Sequence, residues 1–408
     1  MSLQWLAAES PALVALLVVA ALSLALSLFS HVVCHCVLAR AERPRPGPLP
    51  GISVLKPLRG ADAALLDNLR AFARLDYPEF ELVFGVEDPL DPAIPLVRKL
   101  ADEFPHVPMR LCVGGKQAGL NPKVNNLSNL SRLARYDHYL VSDADVRPRP
   151  GYLRALAAEL RDARVGLVHS VFLAAPAGRL GAVLEAYQAS SFVAPAVCLA
   201  SLVGHPCVVG KSMFFRAKDI EALGGFPAFE NVLAEDYLIG RRFTEAGKRV
   251  VLSPHLLVTV SPERSVGSFF NRHLRWSQMR RRLRLSAFVA EVFANPTPWL
   301  LSALLAAVLT LPWGTSTGLL LAALLGGLLV RCASDALVLA RAAGIGVALS
   351  CAPLVLAKDM MILAAWALGL VSQHVHWKGH DMVIGEGTRL FPKKRRARLL
   401  EPAAVRNP

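Results

Sequence analysis

Charged side chains are scarce in this 408-residue chain. Asp, Glu, Lys and Arg make up 19% of it, hydrophobic residues 54%, and mean hydropathy is +0.41, a balance shifted toward membrane proteins. Cysteine is sparse and irregular: seven residues with no Cys-x-x-Cys pair argue against a disulfide framework and fit a reducing compartment. There is no Walker loop, no Gly-x-Gly-x-x-Gly after the first strand-like run, no His-Glu-x-x-His and no nucleophile elbow. The chain therefore carries no signature of P-loop, dinucleotide, zinc-protease or α/β-hydrolase chemistry. Acidic residues are outnumbered 31 to 45 by basic ones, for a net charge of +14. The surplus sits beside apolar stretches, at Arg40–Arg45, Arg272–Arg284 and Lys393–Arg398. That placement suits an anionic bilayer surface and positive-inside topology better than a nucleic-acid partner.

What is present falls into a simple order. Residues 11–38 hold no Asp, Glu, Lys or Arg and are long enough to cross a bilayer. With no basic start and a long apolar run, they read as an uncleaved anchor within residues 1–40 rather than a signal peptide. Arg40, Arg43 and Arg45 follow, the last two in a Pro-rich linker (41–50), which places the next segment on the cytosolic side. From 51 to 285 short β-rich runs (52–57, 81–87, 109–113, 138–142, 165–172, 208–216) alternate with helical ones (64–74, 94–104, 152–162). This pattern predicts an α/β fold with a largely parallel sheet, whose ligands bind beyond the carboxyl ends of the strands. The run 190–210 is nearly uncharged and fits either a buried core element or a lipid-facing segment. Residues 286–376 read as C-terminal membrane helices, with a hairpin turning at Trp313-Gly314-Thr315. A further apolar stretch is interrupted by Lys358-Asp359, which predicts an interfacial helix or one packed on a partner. Residues 377–408 read as a basic cytosolic tail.

Asp143-Ala144-Asp145 follows a strand-like run. Two carboxylates at i and i+2 can approach one hard divalent cation, Mn²⁺ or Mg²⁺, and leave room for diphosphate oxygens. Alone the motif is weak, more often a turn or a cap than a metal site. Asp88 and Asp91 end an earlier strand, where a carboxylate can accept hydrogen bonds from a nucleoside; Asp91, ahead of Pro92, serves as well for a helix cap. Asp236, in Ala234-Glu235-Asp236-Tyr237, opens a helix, as a dipole partner or as a general base. Arg272, Arg275 and Trp276 head a basic stretch suited to phosphate and sugar, or to a lipid surface. Lys116 and Lys123 lie in a Gly/Asn/Lys loop and can reach phosphate oxygens.

The order of these motifs resembles the processive-type family of inverting glycosyltransferases, with its D, D, D, (Q/R)xxRW signature. Within it the chain resembles the ceramide glucosyltransferase branch, through the runs 52–60, 75–78, 91–94, 114–116, 119–127, 165–169 and 234–237. The resemblance covers about residues 50–285. It implies a GT-A (Rossmann-like) glycosyltransferase domain between membrane anchors. In that scheme Asp88 or Asp91 holds the nucleotide, Asp143 and Asp145 bind the diphosphate through the metal, and Asp236 is the catalytic base. Lys123 reaches phosphate, while Arg272, Arg275 and Trp276 close over the diphosphate and acceptor. The implied reaction moves glucose from UDP-glucose to a ceramide-like lipid at the cytosolic membrane face, with inversion to a β-linkage. The segment Ser190-Ser191-Phe192-Val193 lacks the histidine-containing stretch typical of animal members. The Ala/Leu/Arg-rich composition suggests a bacterial inner membrane, so the alternative expectation is N-acetylglucosamine transfer to a hopanoid or another lipid alcohol.

Overall fold

A computed structural model describes residues 10–40, 47–377 and 380–392. Arg43, Arg45 and the basic tail Lys393–Arg398 lie outside the described residues. A central sheet of eight strands runs in the order β3-β2-β1-β4-β7-β6-β8-β5. These are β1 (Ile52–Pro57), β2 (Phe80–Val86), β3 (Met109–Val113), β4 (His138–Val141), β5 (Val146–Arg147), β6 (Val165–Ala174), β7 (Met213–Arg216) and β8 (Arg249–Thr259). Strands β3, β2, β1 and β4 are parallel, and β6 is parallel to β8. β7 runs antiparallel to both β4 and β6, so the sheet is mixed. Strand β2 is buried along its whole length, as expected of a strand covered by helices on both faces.

The reading from sequence lacks β8. Its run contains Pro254, which cannot donate to a ladder and argues against a central strand. The register shows how it is accommodated: Ser170 pairs with Ser253 but Phe172 with Leu257, so the proline falls in an irregular stretch outside the ladder. The sheet also continues into β5, two residues directly after the Asp-Ala-Asp turn, paired with the end of β8.

Among the described residues, four helices are long and apolar enough to cross a membrane: Pro11–Leu38, Leu180–Leu202, Thr315–Ala343 and Leu354–Val371. A bent pair, Leu285–Ala294 with Pro296–Thr310, adds a fifth by the same measure. Ala20 of the first helix packs with Leu300, Ala303, Leu324 and Leu328, which joins the two ends of the chain in one apolar bundle. The run 190–210 is mainly a core element. Its helix bulges through a π-turn at Ala189–Val193, and Val197 and Cys198 pack on Val33, Cys34 and Val37. The exposed residues are Ala196 and the tip 202–205, where Leu202 and Val203 are the exposed large side chains.

Lys358 and Asp359 face inward. Lys358 lies 2.6 Å from Asp359 and 3.5 Å from Asp335, Arg331 lies 3.3 Å from Asp359, and Arg331 also pairs with Asp335. The charges are matched two against two among helices of the same chain, which removes most of the cost of burying them. The segment after the last long helix is also structured. β9 (His374–Trp377), β10 (His380–Ile384) and β11 (Leu390–Pro392) form a small antiparallel sheet that returns to the segment 231–234.

Candidate functional site

The carboxyl ends of β1, β4 and the parallel strands beside them open on a cavity of about 550 Å³. Asp143, Asp145, Lys123, Asp236, Arg272, Arg275 and Trp276 all line it. Asp143 and Asp145 form the turn between β4 and β5. The side chain of Asn121 caps the helix Pro122–Leu133 by accepting from the Lys123 and Val124 amides, with Pro122 in the first turn. That cap sets Lys123 over the turn, 3.0 Å from Asp143 and 3.0 Å from Glu235. One ammonium thus ties the Asp-Ala-Asp turn to the Glu235-Asp236 helix start, 92 residues later in the chain.

Two lysines that sequence reasoning passed over complete this cluster. Lys211 sits 2.6 and 2.7 Å from the two oxygens of Asp145 and 3.3 Å from Asp143. Lys56, fully buried at the end of β1, donates to the Asp143 carbonyl at 2.8 Å and lies 3.6 Å over the Phe72 ring. Each had a faint signal in the sequence. Lys56 is a charge inside an otherwise apolar strand, and Lys211 is the first charge after the uncharged run 190–210. Burial pushes the Lys56 ammonium down to about 7, against the pull of Asp143 and Asp145. Burial alone would raise Asp143, but Lys123 and Lys211 outweigh it and hold the carboxyl well below its ordinary range.

Asp236 behaves in the opposite sense. Burial, then the neighbouring Glu235 charge, push it up to about 6, opposed by Lys123 and two backbone amides. Those amides are Gly210, 2.7 Å from Oδ2, and Tyr237, 2.8 Å from Oδ1. A Cβ at 210 would stand 2.6 Å from the Lys123 ammonium and 3.1 Å from Asp236, so any larger residue there pushes the ammonium aside.

Arg272, Arg275 and Trp276 enter from the helix Val266–Leu283. The Arg272 guanidinium stacks 4.6 Å over the Trp276 ring and pairs with buried Glu185 at 3.3 Å. Glu185 also meets His273 at 3.1 Å. Burial, followed by the Arg272 and Arg264 charges, pushes Arg275 down to about 10. This end of the cavity is thus crowded with positive charge, a receptive setting for an anion.

Asp88 and Asp91 stand apart from the cavity. Asp88 is exposed and caps its own turn through the Leu90 amide. Asp91 is buried, takes the Gly60 amide on both oxygens at 3.0 and 2.9 Å, and caps the next helix through Ala93. Its contact is with the loop 58–62, while Glu87, Asp62 and Glu263 are the carboxylates that line the cavity there. Lys116 is on the Gly114-Gly115 turn, braced by Asn129 and also outside the cavity lining.

The small C-terminal sheet holds the segment ahead of Asp236. The Leu233 amide donates to Thr388 O at 3.0 Å, the Ala234 amide to Thr388 Oγ1 at 3.3 Å, and the Leu390 amide to Asn231 O at 2.8 Å. Gln278, two residues beyond Trp276, donates to Ser372 and to the His374 carbonyl. Leu120 and Met279 pack on the same sheet.

As for a cation, no group of three or more His, Cys, Asp or Glu side chains in metal-binding geometry occurs among the described residues. The donors at hand are the two carboxylates of Asp143 and Asp145, hard oxygen ligands that already surround the Lys211 ammonium. Oxygen donors of this kind fit Mg²⁺ or Mn²⁺ when a diphosphate supplies further ligands.

The chain is similar to known proteins in sequence and fold. Residues 15–390 match the family described as Glycosyl transferase family 21. Ceramide glucosyltransferase 1 of Caenorhabditis elegans is 32% identical over 248 residues, 60% of this chain and 53% of that one. Ceramide glucosyltransferase of Komagataella phaffii is 26% identical over 309 residues, covering 62% of this chain and 61% of its own. The chain thus spans roughly half to three-fifths of the length of these relatives. Among solved structures, a mannosyltransferase from Pyrobaculum calidifontis in complex with GDP-Man and Mn²⁺ superposes with a TM-score of 0.52 at 19% identity. That match covers 86% of this chain and 99% of the other, and it bears on the fold alone.

Proposed function

The chain belongs to glycosyl transferase family 21 and is a glycosyltransferase of GT-A fold; from that premise we propose that it transfers glucose from UDP-glucose to a ceramide-like lipid at the cytosolic face of a bacterial inner membrane. The observation that carries the reading is one cavity joining Asp236, pushed up to about 6, to the Asp143/Asp145 pair and to Arg272, Arg275 and Trp276. The ceramide acceptor and the transferred glucose follow the names of the relatives, the UDP carrier is our own reading, and the apolar helices around the domain support a lipid acceptor.

In this reading the ionised Asp236 takes the proton of the acceptor hydroxyl as its oxygen attacks the anomeric carbon. The bond to the diphosphate oxygen breaks on the opposite face, so the configuration inverts and no covalent enzyme intermediate forms. The two backbone amides on Asp236 fix the direction of its free lone pairs. Lys123, Arg272 and Arg275 receive the growing negative charge of the leaving diphosphate, with Trp276 braced by Arg272 to cover the sugar. A Mn²⁺ or Mg²⁺ held by Asp143 and Asp145 supplies further charge neutralisation at the diphosphate when bound. For nucleoside contact we assign Glu87 and Asp62, which face the cavity, with Asp91 shaping the loop 58–62 from behind.

A screen of nucleotide sugars against lipid acceptors, read by mass spectrometry on the purified protein, tests this. Glucosylceramide from UDP-glucose and ceramide is the expected product. Product only from UDP-N-acetylglucosamine and a hopanoid would move the activity to the alternative acceptor class. No glycolipid from any pair would overturn the proposal.

A further inference from the structure

Lys211 occupies an unusual place for a lysine. Its side chain is almost fully buried at the start of β7, and three carboxylate oxygens lie within 3.3 Å of its Nζ. Those are the oxygens that a divalent cation shared by Asp143 and Asp145 would take. Two cations cannot occupy one such nest, because their repulsion at this range, in a partly dehydrated cavity, exceeds what either gains.

We propose that Lys211 is a built-in counter-cation that competes with the divalent cation for Asp143 and Asp145 and yields the position only when a nucleoside diphosphate is present to receive the ammonium. The proposal rests on the reading of Asp143 and Asp145 as the metal-holding pair.

The surroundings make the exchange consequential. Lys211 follows Gly210 in a tight turn closed by the Lys211 amide on Val209 O at 2.7 Å. The Gly210 amide is one of the two holding Asp236, and the Lys211 carbonyl accepts from Ser142, the residue before Asp143. A displaced Lys211 side chain therefore pulls on a backbone already bonded to both the Asp-Ala-Asp turn and the base. Free metal meets an internally neutralised site and binds weakly. A diphosphate brings anionic oxygens that take up the released ammonium, so nucleotide and metal load together. Lys123 does not substitute for Lys211 in this role, since it is held between Asp143 and Glu235 on the other side of the turn.

The test is Mn²⁺ binding to the purified full chain, read by electron paramagnetic resonance of free Mn²⁺, with and without UDP. In the wild type, UDP should tighten Mn²⁺ binding about tenfold or more, in the range usual for coupled ligands. Lys211→Met should bind Mn²⁺ alone about tenfold more tightly than wild type, with little added by UDP. Lys211→Gln, which keeps a hydrogen-bond donor toward Asp145, provides a second folded variant with the same expectation. If both variants bind Mn²⁺ alone no more tightly than wild type, while Asp145→Asn abolishes binding, the counter-cation role falls and the metal reading stands. If wild type and variants bind no Mn²⁺ at any UDP concentration, the metal reading falls and the proposal with it.

Discussion

Replacing Asp236 by Asn tests the assignment of the base most directly. The substitution keeps size and shape but removes the negative charge and the capacity to take a proton. The two backbone donors, Gly210 at 2.7 Å and Tyr237 at 2.8 Å, each face one carboxylate oxygen. An asparagine offers one oxygen and one NH₂, so one of the two bonds becomes donor against donor, a cost of about 1 kcal/mol. Against that, the carboxyl is held at about 6 in the folded chain, above its ordinary 3.8. A raised acid contributes stability that is present below 3.8 and lost as pH rises through 6, so at neutral pH the ionised group opposes folding. Its neutral replacement regains that opposition, and Asp236→Asn should melt within a few degrees of wild type at pH 7.5. Turnover should fall far more, by about 10²- to 10⁴-fold for a lost general base, or ~3–5 kcal/mol in the barrier. The assay is UDP release against pH. Wild-type kcat/KM should rise with pH through about 6 as Asp236 ionises, and the variant should lose that limb along with its rate. A variant that keeps most of the wild-type turnover and the same acid limb would refute the assignment.

Asp91→Ala should lower stability by about 1–2 kcal/mol in a denaturant melt, through the lost helix cap and the freed Gly60 amide, and raise KM for the nucleotide sugar more than it lowers kcat. Lys358→Met leaves Asp335 and Asp359 to share one cation in a buried bundle, and should cost about 3–5 kcal/mol in detergent-resistant stability. Thr388→Val keeps the shape of a residue at φ +60° but removes the acceptor for the Ala234 amide. It should cost about 1–2 kcal/mol and reduce kcat through the misplaced Asp236 segment, with the melt and steady-state kinetics read side by side. Unchanged kcat in that variant would mean the C-terminal sheet does not position the base.

Much of the α/β half was legible because its signals are local. Strands β1 to β4 and the helices Leu65–Ala73 and Ala93–Glu103 are short β-rich and amphipathic runs whose observed limits differ from the expected ones by a residue or two, whereas the helix Pro122–Leu133 reads in sequence as a Gly/Asn/Lys loop because its Asn- and Ser-rich turns carry turn chemistry. Strand β8 was hidden by a proline whose effect is absorbed by an irregular register with β6, a property of two strands about 80 residues apart. The sheet is largely parallel, with four of its seven pairings so, and its antiparallel member was hidden for the same reason. Antiparallel β7 sits between β4 and β6 although it follows both in sequence, and nothing in its four residues records direction.

The residues themselves determined the class of chemistry. An acidic turn after a strand, an acidic helix start and an Arg-x-x-Arg-Trp run between apolar ends survive any detail of packing. They depend only on residue type, order and local backbone preference. The tertiary structure alone decided who faces whom. It turned Asp91 into a brace for the loop 58–62, placed Lys123 between Asp143 and Glu235, and buried Lys56 and Lys211 against the Asp-Ala-Asp turn. It also brought residues 380–392 back against the segment ahead of Asp236 and folded Lys358-Asp359 into an ion-paired bundle with Arg331 and Asp335. These are long-range electrostatic and hydrogen-bonded contacts. Their partners lie dozens to hundreds of residues away, so no window of sequence contains both sides.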